Sequence, residues 1–390
     1  MPDAVIVNAV RTPIGTAFRG SLTETPPEEL ARIVLAEAVQ RSQLDPAAFD
    51  DIVLAESNYG GGDLARHAAV EAGLTQVPGQ AVNRHCAGSL TAVQVAAGAI
   101  HAGMDRVIVA GGVQSSSLNP VQRRRVVGTA DDWIEDWASP AHPDTAEAPN
   151  RDMTITVGWN TAVEAAISRE DMDAWAFRSH RRAVEAIDRG AFDDEIVPVL
   201  ARQRDGSVKD FATDEHPRRS TSMDKLASLK PIHPEIEGFS ITAGNACGAN
   251  DGAAVLTIAS DRLGLPALAT VRSWASVGVD PAATGLAAVE AIPKALARAG
   301  LSISDVDLFE INEAFAAMCV ATVKLLDLDP DRVNVSGSGC SLGHPVAATG
   351  ARMLVTLVHE LRRRGGGVGV AAMCAGGGMG SATVIEVPAG

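Results

Sequence analysis

The sequence has little aromatic content, little cysteine and a deficit of positive charge. Phe, Trp and Tyr make up 4% of the 390 residues, with one tyrosine in all, so small aliphatic side chains must fill most of the interior. The cysteines Cys86, Cys247, Cys319, Cys340 and Cys374 are odd in number and widely spread. That pattern excludes a disulfide framework, and no pair has zinc-ligand spacing, so no metal site is expected. Lys and Arg total 33 against 48 Asp and Glu, a formal net charge of -15, which argues against a nucleic-acid partner because a phosphate backbone needs a cationic face. No charge-free apolar run reaches the roughly 18 residues of a membrane-spanning helix. No basic-then-apolar leader precedes the strand expected at Ala4-Val5-Ile6-Val7, and Val387-Pro388-Ala389-Gly390 is not a targeting tripeptide. Together these absences predict a cytoplasmic protein without a membrane partner.

What is present is 46% hydrophobic residues and 37 glycines. Ile52-Val53-Leu54, Val107-Ile108-Val109-Ala110 and Val368-Gly369-Val370-Ala371 read as central strands of a covered sheet. Helical stretches such as Leu90 to Ala102 and Ala351 to Arg364 alternate with them, which predicts an α/β architecture. The two ends resemble each other. A helix at Leu30 to Ser42 leads through Asp50-Asp51 into Ile52-Val53-Leu54, and Val289 to Ala299 leads through Asp305-Val306-Asp307 into Leu308-Phe309. Helix, strand and Gly-rich turn then recur as 90–112 and 351–378, so an internal duplication is expected. The middle, 118–245, differs: it holds Trp133, Trp137, Trp159 and Trp175, about half of the Lys and Arg, and the segment Ser139-Pro140-Ala141-His142-Pro143. It reads as an insertion with its own helix from Arg169 to Asp188, and its local excess of arginine suits an anionic small molecule or a solvated surface.

Three constellations carry chemistry. Asn83-Arg84-His85-Cys86-Ala87-Gly88-Ser89-Leu90 places a cysteine at a strand-to-helix junction, where the helix N-terminus is expected to favour the thiolate. His85 reads as structural. Leu342-Gly343-His344-Pro345 sets a histidine on a constrained turn at the head of the next helix, a setting suited to a base. Cys374-Ala375-Gly376-Gly377-Gly378 follows a strand and offers backbone N–H groups to a developing anion. Asn312-Glu313-Ala314-Phe315 adds a polar pair at the C-terminal end of a strand, where α/β folds place ligands.

On these residues the chain resembles the thiolase family of acyl-CoA acyltransferases over essentially its whole length. The motifs run in order: Val10-Arg11-Thr12-Pro13-Ile14-Gly15, Asn83-Arg84-His85-Cys86, Gly244-Asn245-Ala246-Cys247-Gly248-Ala249-Asn250-Asp251-Gly252, Asn312-Glu313-Ala314-Phe315, Gly343-His344-Pro345 and Cys374-Ala375-Gly376-Gly377-Gly378. The resemblance implies an α-β-α-β-α sandwich of duplicated halves. Its parts would be 1–117 as the start of the N-terminal half, 118–245 as an inserted loop domain binding coenzyme A, 246–267 as the end of that half, and 268–390 as the C-terminal half.

The resemblance further implies that Cys86 carries the acyl group as a thioester, that His344 removes its proton, and that Cys374 exchanges a proton with the second acyl-CoA. Asn312 with His344 would form one oxyanion hole, and the N–H groups of Cys86 and Gly376 the other. Arg218 and Arg219, or Arg123-Arg124-Arg125, would meet the phosphates of coenzyme A, which is substrate rather than a resident cofactor. Phe315 would lie on the substrate side. Three departures bear on the substrate. Cys247 stands where relatives have a serine that contacts coenzyme A, Thr154 follows Met153 where a His-Met pair is usual, and Thr284 replaces a methionine. The two threonines predict a roomier, more polar acyl pocket and a longer, branched or oxygenated 3-oxoacyl-CoA. A β-ketoacyl synthase is the rival enzyme class, disfavoured by Cys374 ahead of three glycines. Two readings compete from outside carbon–carbon chemistry: a thiolase-like scaffold subunit without activity, and acyl transfer to a non-carbon acceptor. Assembly as a homodimer or homotetramer is also implied.

Overall fold

The computed structural model describes residues 1–57, 59 and 62–390. Nine strands pair in one path. In spatial order they are Leu308–Ile311, Gly367–Ala375, Met379–Val387, Ala269–Gly278, Ala4–Arg11, Asn250–Ser260, Val107–Ser115, Asp51–Ala55 and Gln80–Val82, with Gly15–Thr16 pairing beside Asn250–Ser260.

The path contains one unit twice. In the first half Asp51–Ala55 runs parallel to Val107–Ser115, which pairs antiparallel with Asn250–Ser260, which pairs antiparallel with Ala4–Arg11. In the second, Leu308–Ile311 runs parallel to Gly367–Ala375, which pairs antiparallel with Met379–Val387, which pairs antiparallel with Ala269–Gly278. The halves join edge to edge through Val5 opposite Thr270 and Ile6 opposite Ala269. The duplication expected from the repeated helix–strand pattern is therefore built into the sheet.

Five layers follow from which faces are apolar. Helices Gly88–Ala102 and Thr349–Arg363 lie between the halves, where Leu90, Val93, Ile100, Met353, Leu354 and Val358 share one core with Ile108 and Leu256 of the first half and Ala371 and Ile385 of the second. Gly88–Ala102 is rich in alanine and valine, whereas Thr349–Arg363 keeps a polar face whose buried Arg352, Thr356 and His359 are paired with Glu310, Glu195 and the Ala9 carbonyl. Pro27–Ser42 and Leu64–Glu71 cover the outside of the first half through Leu30, Val34, Leu35 and Ala68 against Ile52, Val109 and Val255. Ala287–Ala299 and Ala316–Leu325 cover the second through Ile292, Leu296 and Met318 against Phe309, Val370 and Val384. The expected strands and helices are all present, extended by a few residues where flanking backbone continues the ladder or the first helical turn.

Between Val107–Ser115 and Asn250–Ser260 the chain leaves the sheet. In the second half the same topological position is the turn Gly376-Gly377-Gly378 between Gly367–Ala375 and Met379–Val387. The excursion holds the hairpin Arg124–Arg125/Trp133–Ile134, a π-helical turn Thr154–Trp159, the helix Arg169–Asp188 and the hairpin Val199–Arg202/Val208–Phe211. Ser168 and Asp171 form a capping box that starts the long helix at Arg169. Though entered from the first half, much of the excursion packs on the second: Val157, Met172, Trp175 and Phe239 share a core with Ile292, Phe309 and Phe315. No helix among the described residues is long and apolar enough to cross a membrane.

Candidate active site

The two central helices meet at their N-termini, and this junction builds the site. The Ser89 hydroxyl accepts the Ala351 N–H at 2.9 Å. A Cβ on Gly350 would lie 2.6 Å from the Leu90 nitrogen and 3.0 Å from the Ser89 hydroxyl oxygen, so only glycine lets the helices approach this closely. Cys86 stands two residues before the first helix and His344 five before the second. The duplicated halves thus supply one each from equivalent ends.

At Cys86 the backbone is strained just ahead of the sulfur. His85 has φ +45°, the left-handed region, held by its carbonyl accepting the Ser57 hydroxyl at 2.8 Å and its N–H donating to Asn83 Oδ1 at 2.8 Å. A non-glycine residue in this region costs about 1–3 kcal/mol and persists where the surroundings fix it. Sequence reasoning gave His85 no more than a structural part and missed the strain, because a lone His-Cys pair carries no turn signal. The backbone N–H groups of Gly376 and of Cys86 itself favour the Cys86 anion electrostatically. Gly376 belongs to the Gly-rich turn and Cys86 to the strand-to-helix junction.

The expectation of a thiolate-favouring junction is corrected. Burial pushes the Cys86 thiol up to about 11, because dehydrating the anion outweighs the two N–H groups that favour it. Burial also pushes Cys247 up to about 12 and Cys374 well above its ordinary value, and both feel the charge that Cys86 would carry. Three thiols therefore share one electrostatic neighbourhood. Cys374 is buried, with its sulfur 3.4 Å from the Met318 sulfur. Cys247 is held by its N–H donating to the Ala314 carbonyl at 2.9 Å.

His344 is reached from the same stretch, since Ala249 bridges to it and Ala246 bridges to Phe315. The Asn250 side chain accepts the His344 N–H at 3.0 Å and donates to the Gly15 carbonyl at 3.0 Å. Gly343 has φ +103°, and a Cβ there would strike Asn250 at 2.5 Å, so the residue before the histidine must be glycine. The imidazole is 4% exposed, and its Nδ1 lies 2.6 Å from the Thr349 hydroxyl. Asn312 Nδ2 lies 3.4 Å from Nε2 and 3.5 Å from Nδ1, while the buried Asn312 Oδ1 has no hydrogen-bond partner among the described residues. Burial, and then the neighbouring Arg352 cation, push the histidine down to about 3. Arg352 is itself paired with buried Glu310 at 2.6 Å. Burial thus disfavours both the Cys86 thiolate and the His344 imidazolium. Asn250 and Thr349 hold the histidine, and sequence reasoning assigned neither a role.

Other expected site residues are placed differently. Thr284 is fully buried; its hydroxyl donates to the Pro281 carbonyl at 2.6 Å and accepts the Gly378 N–H at 3.0 Å. Thr154 donates to Asp152 at 2.6 Å and lies 3.1 Å from His233 Nε2. Both hydroxyls are committed within the protein, so the expected increase in pocket polarity does not come from them. Phe315 is buried, its ring against Gly158 of the π-helical turn. Glu313 is a structural hub that accepts from Trp175 Nε1, the Ser179 hydroxyl, Asn334 Nδ2 and the Cys340 N–H. Arg219 forms a bidentate pair with Asp188 at 2.8 and 2.6 Å. Arg218 is exposed beside it, with its backbone N–H donating to His180 Nδ1 at 3.1 Å; the two arginines, Phe177 and Thr221 line a hollow. Arg123 and Arg124 instead lie over the rings of Trp133 and Trp137. No group of three or more His, Cys, Asp or Glu residues among the described residues is placed to hold a metal ion.

Cys86, a buried histidine and further thiols gather where the duplicated α/β halves meet. The family model described as the thiolase N-terminal domain matches residues 4–262, and the thiolase C-terminal domain matches 265–387. An acetyl-CoA acetyltransferase of Pseudomonas aeruginosa is 41% identical over 99% of each chain. A beta-ketothiolase of Cupriavidus necator is 41% identical, covering 98% of this chain and 99% of its own. The crystal structure of the Bacillus anthracis acetyl-CoA acetyltransferase matches with a TM-score of 0.91 at 40% identity over 99% of each chain. Human mitochondrial 3-ketoacyl-CoA thiolase matches at 0.90 and 33%, covering 100% of this chain and 99% of that one. The chain belongs to the thiolase family and is an acyltransferase enzyme of that family.

Proposed function

We propose that the chain exchanges acyl groups between coenzyme A thioesters through an acyl-Cys86 intermediate. It would cleave a 3-oxoacyl-CoA with coenzyme A, or run the reverse Claisen condensation. What carries this reading is Cys86 two residues before one central helix, where the N–H groups of Gly376 and of Cys86 itself favour its anion, with His344 held at the head of the neighbouring helix.

In the cleavage direction the Cys86 sulfur attacks the 3-oxo carbon as its proton passes to His344. Since the thiol sits near 11 and the imidazole near 3, no thiolate–imidazolium pair stands ready, and the proton leaves as the S–C bond forms. The alkoxide forms against the N–H pair, each donor contributing about 2.7–4 kcal/mol to such a transition state. Breaking the bond between C2 and C3 leaves the enolate of the shorter acyl-CoA. That enolate takes the Cys374 proton while Asn312 and His344 stabilise its oxygen. Coenzyme A then attacks the acyl-Cys86 thioester. Its thiol proton restores Cys374, and the departing Cys86 sulfur recovers the proton held by His344. The kinetics are ping-pong. Arg218, beside Arg219 on the excursion 118–245, is our candidate contact for the coenzyme A phosphates. Thr154, Cys247, Thr284 and Phe315 border the acyl and pantetheine region, the two threonines acting through backbone and side-chain ties rather than free hydroxyls. Homodimeric or homotetrameric assembly and a cytoplasmic location belong to the same reading.

Intact-protein mass spectrometry after brief exposure to a panel of acyl-CoAs tests it, with Cys86→Ala as control. Wild-type protein gaining the mass of the acyl group, absent from the control, supports the reading. No adduct from any acyl-CoA in folded protein refutes it and favours a scaffold subunit without activity.

A further inference from the structure

We propose that Thr349 is a positioning residue that fixes the tautomer of His344, keeping the proton on Nδ1 and leaving the Nε2 lone pair free for proton transfer. The proposal rests on the reading of His344 as the base.

The argument is a count of protons. The Thr349 hydroxyl lies 2.6 Å from His344 Nδ1 and 2.9 Å from the Pro345 carbonyl oxygen. A hydroxyl has one proton, and a carbonyl can only accept. If the hydroxyl donates to Pro345, it accepts from Nδ1–H, and both short contacts contain a proton. If it turned to donate to Nδ1, two oxygens would face each other at 2.9 Å with none between them. Asn312 Nδ2 lies 3.4 Å from Nε2 and 3.5 Å from Nδ1, so it does not discriminate between the ring nitrogens, and the Thr349 contact decides the tautomer.

The local sequence explains why the device works. Thr349 opens the helix Thr349–Arg363, and a hydroxyl in a helix reaches back to the carbonyl four residues earlier, here Pro345. His344 precedes that proline, so one side chain touches both the carbonyl and the ring. Thr349 is fully buried and His344 nearly so. Where bulk water has no access, a tautomer mismatch is not repaired by solvent, and the preference imposed by two short contacts is strong.

Protein labelled with 15N in its histidines reports the tautomer directly from the ring nitrogen shifts, without any acyl-CoA; the His344 signals are those absent from His344→Gln. The expected wild-type spectrum has Nδ1 protonated and Nε2 unprotonated. Thr349→Val should shift His344 toward Nε2–H and slow Cys86 acylation about ten- to a hundredfold, part of the roughly 10²–10⁴ that a positioned base supplies in full, with KM changed far less than kcat. Thr349→Ser should restore both. A wild-type His344 protonated on Nε2, or a Thr349→Val spectrum unchanged from wild type, overturns the proposal. The wild-type spectrum decides the first point even if the valine variant fails to fold. Protonation on Nδ1 without any acyl-Cys86 supports the tautomer assignment and overturns the transferase reading instead.

Discussion

Replacing Thr284 with valine removes one hydroxyl and little else in volume. That hydroxyl accepts the buried Gly378 N–H at 3.0 Å and donates to the Pro281 carbonyl at 2.6 Å. The Gly378 N–H belongs to the turn that carries Gly376, one of the two donors that favour the Cys86 anion. Leaving a buried N–H without an acceptor costs about 1–3 kcal/mol, and the lost bond to Pro281 adds about 0.5–1.5. A total of about 1.5–4.5 kcal/mol would show as a clear fall in the denaturant midpoint with an unchanged slope. The functional effect is separable. Allowing the turn to relax displaces the Gly376 N–H, and losing such a donor altogether costs about a hundred- to a thousandfold in rate. Partial displacement should lower single-turnover acylation of Cys86 about ten- to a hundredfold, and Thr284→Ser should retain both properties. A Thr284→Val protein with wild-type midpoint and wild-type acylation rate would refute the account of the turn.

Three further outcomes are expected. Alkylation of Cys86 by iodoacetamide should rise about tenfold per pH unit through the neutral range toward a midpoint near 11, and a plateau near pH 7 would contradict the neutral thiol. Arg11→Met strands Glu195 and Asp214, both buried and ion-paired to Arg11 at 2.6 and 2.8 Å. It should lower unfolding free energy by about 3–5 kcal/mol, and a loss below about 1 kcal/mol would show that the carboxylates find other partners. His233 is raised above its ordinary value first by its bond to Glu235 and then by Asp152. A raised folded-state value means that its stabilisation is complete in acid and is lost as pH climbs from the ordinary range through the raised one. Asp152→Asn should move the His233 NMR midpoint downward, and an unmoved midpoint would exclude the tie between 152–154 and 233–235.

What could be read from sequence was whatever repeats or sits in a short motif. Apolar runs such as Val107-Ile108-Val109-Ala110 can only be covered strands, and the like order of helix and strand at both ends anticipates the twofold sheet. Cys86, His344 and Cys374 stand out because glycine, proline and small residues cluster around them in short motifs. What stayed hidden depends on distant partners. The helix N-terminus at Gly88 suggests a thiolate, yet burial by the second half reverses the sign. Thr284 as a substitute for methionine suggests a polar pocket, but its partners Gly378 and Pro281 cannot be known before the chain folds. Thr349 is one of many threonines until the ring of His344 lies beside it. The packing of 118–245 on the second half has no local signature, because Trp175 and Glu313 are far apart in the chain.

That packing makes the covalent join between the halves nearly redundant. The chain passes from one half to the other through the exposed stretch at Leu263 and Gly264, but Trp175 and Ser179 grip Glu313, and Asn245 accepts the Ala316 N–H through its carbonyl. The excursion acts as a strap thrown from the first half around the flank of the second, while the helices Gly88–Ala102 and Thr349–Arg363 fill the seam between them. Two polypeptides made by breaking the backbone between Gly264 and Leu265 should therefore find each other and co-purify as one particle with Cys86 and His344 still opposed. The site would then survive as a property of the assembled seam rather than of an unbroken chain.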